Sequence, residues 1–223
     1  MLGKRVLLAI TGGIAAVESI RLARELRRHQ ADLTVIMSHE ATKIITPLAV
    51  SWGSDTIVNE GWSGEMSQLE KFDIVLIAPA TRNTISKHIH GIMDSPIMMA
   101  LSASRGRGAK LCFVPSMHTD LFDDPVTSNH LQLLNKEGSH VILNNIDEGK
   151  LKQPDSVSIV AEVCHITNSD PQSKTVAITL GANRAPIDAV RAIQNASSGR
   201  TGWIIAEYPH RMGHTVICIA GNT

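Results

Sequence analysis

Four short stretches of the chain carry small polar groups of the kind that hold a charged small molecule. Gly12-Gly13, in AITGGIAA, strips two side chains from a turn, so that backbone N–H groups at a helix start can face a phosphate; the pair serves equally well as a tight turn. Ser38 follows the apolar run LTVIM with a hydroxyl that either meets a ligand or caps a helix. Ala80-Thr81-Arg82-Asn83-Thr84 follows DIVLIA and offers hydroxyls and an amide. Pro115-Ser116-Met117-His118 follows LCFV, where His118 is either a substrate ligand or an ordinary surface histidine. If the runs are strands of one sheet, these groups meet at one edge and compose a mononucleotide site. The Gly-Gly pair does not extend to GxGxxG, which argues against an ordinary dinucleotide site.

Other candidates read as structural. His88 and His90 are two residues apart and cannot share a helix face. Asp120, Asp123 and Asp124 lie near His118, but their spacing supports no metal, and turn formation with helix capping accounts for them. Cys112, Cys164 and Cys218 are odd in number and widely spaced, which argues against a disulfide framework or a zinc site and fits a reducing cytoplasm. Lys+Arg and Asp+Glu balance at 21 each, so no net field draws the chain to nucleic acid or an anionic membrane. Aromatic residues make up only 3% of the sequence, too few for platforms on which bases stack. VLLAITGGIAA is broken at its glycines, and no stretch reaches the length of a membrane span. A small-molecule partner is the expectation.

The elements that must position these groups alternate along the chain. RVLLAI (5–10), LTVIM (33–37), DIVLIA (73–78), LCFV (111–114) and HVIL (140–143) are continuous apolar runs, expected where helices cover both faces of a parallel sheet. Helical patterns lie between them at Ile14 to Arg28, Thr84 to His90, Ser95 to Ser104 and Ser128 to Lys136. This order predicts an α/β, doubly wound, flavodoxin/Rossmann-like parallel sheet, whose ligands bind outside the carboxyl ends of the strands. The polar TNSDPQSK reads as a linker, dividing a domain at 1–166 from a segment at 175–223, with 167–174 between them. That last segment predicts one further βαβ: TVAITL, a helix over 200–211, and TVICIAG. About fifty residues are too few to build a core of their own.

The wording of these motifs resembles the homo-oligomeric flavin-containing cysteine decarboxylases, particularly the phosphopantothenoylcysteine decarboxylase half of the bifunctional coenzyme A biosynthesis proteins. The stretches that carry the resemblance are TGGIAAVES, MSHEATKIITPLA, LIAPATRNTISKHIHGIMDSPI and VPSMHTDLF. LGANRAPIDAVRAIQNASSGRTG and IAGNT resemble the start of the phosphopantothenate-cysteine ligase half. The resemblance implies FMN, with its phosphate near Gly12, Gly13, Ile14 and Ser38 and its ring and ribityl near Ala80, Thr81, Asn83, Thr84 and Ser116. It implies Met117 and His118 at the substrate, and a trimer or a multiple of trimers. In that chemistry the flavin takes two electrons from the substrate's cysteine thiol, the thioaldehyde so formed loses CO2 readily, and an enethiol is left, which the pantothenate branch then reduces with the flavin's electrons to give 4'-phosphopantetheine.

The chain departs from the family pattern at three points. The family's catalytic histidine aligns with Glu65, or with Met66 if the gap is placed differently, and no histidine lies between His39 and His88. The flap cysteine has no counterpart in NNIDEGKLKQPD, and the asparagine of PxMN aligns with His118. Glu65 can act as a base only if burial raises its pKa. The expected function is therefore FMN-dependent decarboxylation of a cysteine-terminated substrate. The alternatives are an FMN-binding flavoprotein of the same fold without that activity, and a flavin prenyltransferase.

Overall fold

The computed structural model describes residues 1–56, 58–62 and 69–221, which form two compact units, Met1–Val163 and Cys164–Thr223. The first unit opens with β1 (Arg5–Ile10), a 3-10 turn (Ile14–Glu18) and α1 (Ser19–Arg28), followed by β2 (Asp32–Met37), α2 (His39–Thr42), α3 (Pro47–Ser54) and β3 (Val58–Glu60). β4 (Ile74–Ala80), α4 (Arg82–Ile89), α5 (Pro96–Gly106) and β5 (Lys110–Pro115) continue the alternation. β6 (Met117–His118), α6 (Thr119–Phe122), α7 (Pro125–Lys136), β7 (His140–Val141), β8 (Ile146–Asp147) and β9 (Lys150–Leu151) follow, and α8 (Ser156–Asn168) begins in this unit and ends in the second.

The central sheet runs in the order β3-β2-β1-β4-β5-β7 with every pairing parallel. All seven residues of β4 are buried, as its continuous apolar sequence requires of a strand covered on both faces. Leu7, Ala9, Val75, Ile77 and Phe113 pack on one face against Ile85 of α4, Ile97 and Leu101 of α5, and Leu134 of α7. Leu8, Ile10 and Leu76, of the alternate register, are also fully buried. Each such Leu or Ile contributes about 1.5–3 kcal/mol relative to an exposed one, so the sheet is a rigid base for what its ends carry. The strand order reverses between β1 and β4, and at that reversal the loops diverge to opposite faces and leave a crevice.

Several elements differ from the sequence expectation. The helix expected from Ile14 begins as a 3-10 turn, in which the Gly13 carbonyl accepts from Ala16 N–H at 2.8 Å, and α-helical geometry starts only at Ser19. β4 does not stop before Pro79 but runs through it to Ala80. Its ladder with β5 is irregular between Ile77 and Ala80, where Pro79 has no N–H to give. The last strand of the sheet is only His140–Val141, and Ile142 is attached by its N–H to the Phe113 carbonyl at 2.9 Å. β3, the antiparallel set β6-β9-β8 and α8 have no counterpart among the expected elements.

The second unit pairs β10 (Thr175–Leu180) in parallel with β13 (Thr215–Ala220), with α9 (Arg200–Arg211) as the crossover, as expected of a single βαβ. The intervening loop adds an antiparallel pair, β11 (Arg184–Pro186) with β12 (Ala192–Gln194). α9 lies close on β10 because Gly202 has no side chain: a Cβ there would fall on the Cβ of Leu180. Trp203, Ile204 and Tyr208 of α9 remain exposed, the consequence of a segment with too few residues to cover them.

Candidate functional site

The ends of β1 and β4 are joined at the reversal point by one buried hydroxyl. Thr11 Oγ1 donates to the Pro79 carbonyl at 2.7 Å and accepts from Thr81 N–H at 3.1 Å. Thr81 then caps α4, accepting from Thr84 N–H at 3.3 Å, and its hydroxyl lies 2.9 Å from that of Thr84. Ser38 is fixed at both ends of its backbone turn: its N–H donates to the Ile10 carbonyl at 3.0 Å, and its hydroxyl caps α2 by accepting from Ala41 N–H at 3.2 Å. Opposite them Ser95 caps α5, with Pro96 in the first turn where its missing N–H costs nothing.

Between these caps lies a cavity of about 350 Å³. Thr11, Gly12 and Ser38 border it from the first two strands, and Thr81, Asn83, Thr84 and Lys87 from α4 and its cap. His39, Glu40, Asp94, Ser95, Ile97 and Met98 complete the wall. Lys87 Nζ is paired with Asp94 at 2.6 Å. Glu40 is paired with Lys43 at 2.8 Å, and that hydrogen bond holds its carboxyl below the usual range. A second cavity of about 290 Å³ shares Ser38, His39, Ser95 and Ile97 with the first and extends to Met37, Thr42, Gly61 and Pro96. The wall therefore combines hydroxyl and amide groups with an apolar side, suited to a ligand with a polar chain and a flat apolar part.

Of the residues singled out in the sequence, Gly12, Ser38, Thr81, Asn83 and Thr84 meet on this one cavity. A Cβ on Gly12 would fall on the Cβ of Glu40 and lie 3.1 Å from its carbonyl carbon, so glycine is required there by the approach of α2. Gly13 differs: a Cβ would make only ordinary contacts, with the Thr81 methyl at 3.6 Å and the Pro79 ring at 3.7 Å, and its N–H is bonded to the Thr11 carbonyl at 2.8 Å. Ile14 is 76% exposed and Ala80 is fully buried. Ser116, Met117 and His118 border neither cavity. Met117 and His118 form β6 against Leu151 and Lys150, and His118 Nδ1 is 3.2 Å from Asp120 Oδ2. Glu65 and Met66 lie outside the described residues.

His88, read as incidental, proves to be a packing residue. It is buried on the Phe113 ring and shares the Glu137 carboxylate, 2.7 Å from Nε2, with Arg105 and the Ser139 hydroxyl. Asp124 caps α7, as the turn reading of the Asp cluster requires. Thr11, His39, Lys87, Asp94 and Ser95 were not singled out by sequence reasoning. Ser95 had a usable signal in the Ser-Pro that opens a helix, and Thr11 in its place directly after β1.

The family model described as Flavoprotein matches residues 1–168. The chain belongs to the flavoprotein family. A second model, described as the DNA/pantothenate metabolism flavoprotein C-terminal domain, matches residues 171–223. The coenzyme A biosynthesis bifunctional protein CoaBC of Thermococcus kodakarensis is 38% identical over 98% of this chain and 56% of its own length. Its counterpart in Methanocaldococcus jannaschii is 35% identical over 92% of this chain and 51% of its own. The chain thus spans about half the length of the curated relatives it matches. Among solved structures, a PPC decarboxylase mutant complexed with pantothenoylaminoethenethiol aligns with a TM-score of 0.59 at 21% identity, covering 70% of this chain and 93% of that one. MrsD from a Bacillus species aligns with a TM-score of 0.62 at 20% identity over 70% and 92%. These likenesses show the shared fold.

Proposed function

We infer that the chain binds FMN in the crevice between β1 and β4 and decarboxylates a cysteine-terminated substrate, phosphopantothenoylcysteine of coenzyme A synthesis. The observation that carries this reading is the cavity of about 350 Å³ at the reversal of strand order, whose polar groups come from the ends of β1, β2 and β4 together. The names of the relatives and of the aligned decarboxylase structure support the substrate class.

FMN, when bound, supplies the two-electron acceptor for the substrate thiol. The donor set fits it. The Ser38 hydroxyl and the backbone around Gly12, Gly13 and Ile14 would hold the phosphate, while Thr81, Asn83 and Thr84 would hold the ribityl and ring; the same reading assigns Ala80 and Ser116 to that end, although neither borders the cavity. Thr81 and Thr84 are oriented before any ligand arrives, because their hydroxyls are already fixed by the α4 cap. Ile97 and Met98 keep one wall apolar, as a flavin ring would require. Met117 and His118 are assigned to the substrate carboxylate, His118 as a hydrogen-bond donor, and Glu65 to proton transfer.

In the same reading residues 1–166 form the flavin-binding domain, 167–174 a linker and 175–223 the start of a ligase-type unit. The protein works in the cytoplasm as a trimer or a multiple of trimers. Support for assembly comes from the exposure of Ile14, Leu48 and Trp52, on the 3-10 turn and α3, two elements that both pack beside α1. Protein reconstituted with FMN and given phosphopantothenoylcysteine releases CO2 and yields 4'-phosphopantetheine in this account, the flavin's two electrons being returned to the enethiol. A flavin-loaded protein that leaves the substrate intact would refute the decarboxylase assignment and leave flavin binding standing.

A further inference from the structure

We propose that the His39 side chain is the group of this wall that pairs with the cofactor phosphate, so that retention of FMN depends on this imidazole. The proposal deepens the flavin reading and rests on it. A phosphate monoester carries a charge of about −1.5 to −2 near neutral pH and calls for a positive partner. Among the described residues that border the two adjoining cavities, the basic side chains are Lys87 and His39. The Lys87 ammonium is already engaged by Asp94 at 2.6 Å. Glu40, next to His39, brings a carboxylate that Lys43 holds at 2.8 Å and keeps ionised. These two pairs cancel charge for charge, and His39 is left to face the phosphate at the wall formed by Gly12 and Ser38.

Its position suits the role. His39 follows Ser38, whose hydroxyl and N–H are fixed, and it borders both cavities. α2 is a single turn and supplies little dipole of its own, which makes a side-chain charge the more necessary. The charged groups around the ring are Glu40 and Lys43 on its own side and Lys87 and Asp94 across the cavity.

The test is fluorescence titration at neutral pH of FMN and of riboflavin, which lacks the phosphate, into wild type, His39→Gln and His39→Lys. Expected is an FMN affinity about fivefold lower for His39→Gln than for wild type, with His39→Lys at least as tight as wild type. Riboflavin binds all three alike. Equal FMN affinity of His39→Gln and wild type overturns the proposal, as does equal loss of FMN and riboflavin. A wild type that binds neither ligand overturns the flavin reading along with it.

Discussion

Thr11 and Thr81 are joined across the point where the strand order reverses: the Thr11 hydroxyl accepts from Thr81 N–H at 3.1 Å while donating to the Pro79 carbonyl at 2.7 Å. One side chain thereby satisfies the backbone where β4 is irregular, and it sets the start of α4 on which Asn83 and Thr84 ride. Replacing Thr11 with Val keeps the shape and strands two buried backbone groups, at a cost of about 1–3 kcal/mol in denaturant unfolding. Thr11→Ser should recover most of this, and a valine variant as stable as wild type would show that the bridge is idle.

The two glycines after Thr11 should behave differently when changed. Gly12→Ala drives a methyl into Glu40 and must push α2 away, costing roughly 1–3 kcal/mol of stability and weakening flavin binding. Gly13 has an extended backbone, φ −121° and ψ 155°, which alanine adopts freely. Gly13→Ala should therefore fold normally, and any loss of FMN affinity in it reports ligand approach alone. Thermal melts and flavin titrations of the two variants side by side decide the matter.

Glu137 gathers His88, Arg105 and Ser139 beneath the α4–α7 layer. Glu137→Ala leaves a buried imidazole and a hydroxyl without their partner, and a loss of about 2 kcal/mol is expected. Flavin affinity per folded molecule should stay unchanged, since none of these groups borders the cavity. A change in affinity without a change in stability would contradict this assignment.

Asp155 caps α8 through Val157 N–H at 2.9 Å and Ser158 N–H at 3.0 Å. The Ser158 hydroxyl, with the backbone N–H donors, lowers its pKa. A carboxyl whose folded value is lowered stabilises the fold above the ordinary aspartate range, and that stability is lost as pH falls through the folded value. Asp155→Asn should keep the cap and flatten this acid limb, whereas Asp155→Ala should lose about 1 kcal/mol at neutral pH. Unfolding curves at neutral and acid pH separate the two.

How much of this was legible in the sequence depended on the physical signal available. β1 followed from its continuous apolar run, because burial on both faces leaves no other pattern, whereas β10 and β13 followed from apolar runs although alternate residues along them are exposed. Gly12, Ser38, Thr81, Asn83 and Thr84 could be grouped because strand ends share an edge. What escaped was set by local bonding rather than pattern: the 3-10 turn at Ile14, the course of β4 through Pro79, and β3, which is three residues long. α8 was carried by its Asp155 cap, a signal present in the sequence but weaker than the linker composition just after it. His39 gave no pattern at all, since its significance comes from the pairing of the charges around it.

The central claim is that a flavin held at the β1–β4 crevice oxidises the substrate's cysteine thiol so that CO2 can leave. Anaerobic mixing of FMN-loaded protein with phosphopantothenoylcysteine, following the oxidised flavin's visible band and CO2 together, tests it most directly. The account predicts bleaching of the band with CO2 released at an equal or slower rate, and both diminished in Thr11→Val. A flavin that stays oxidised while no CO2 appears would contradict it.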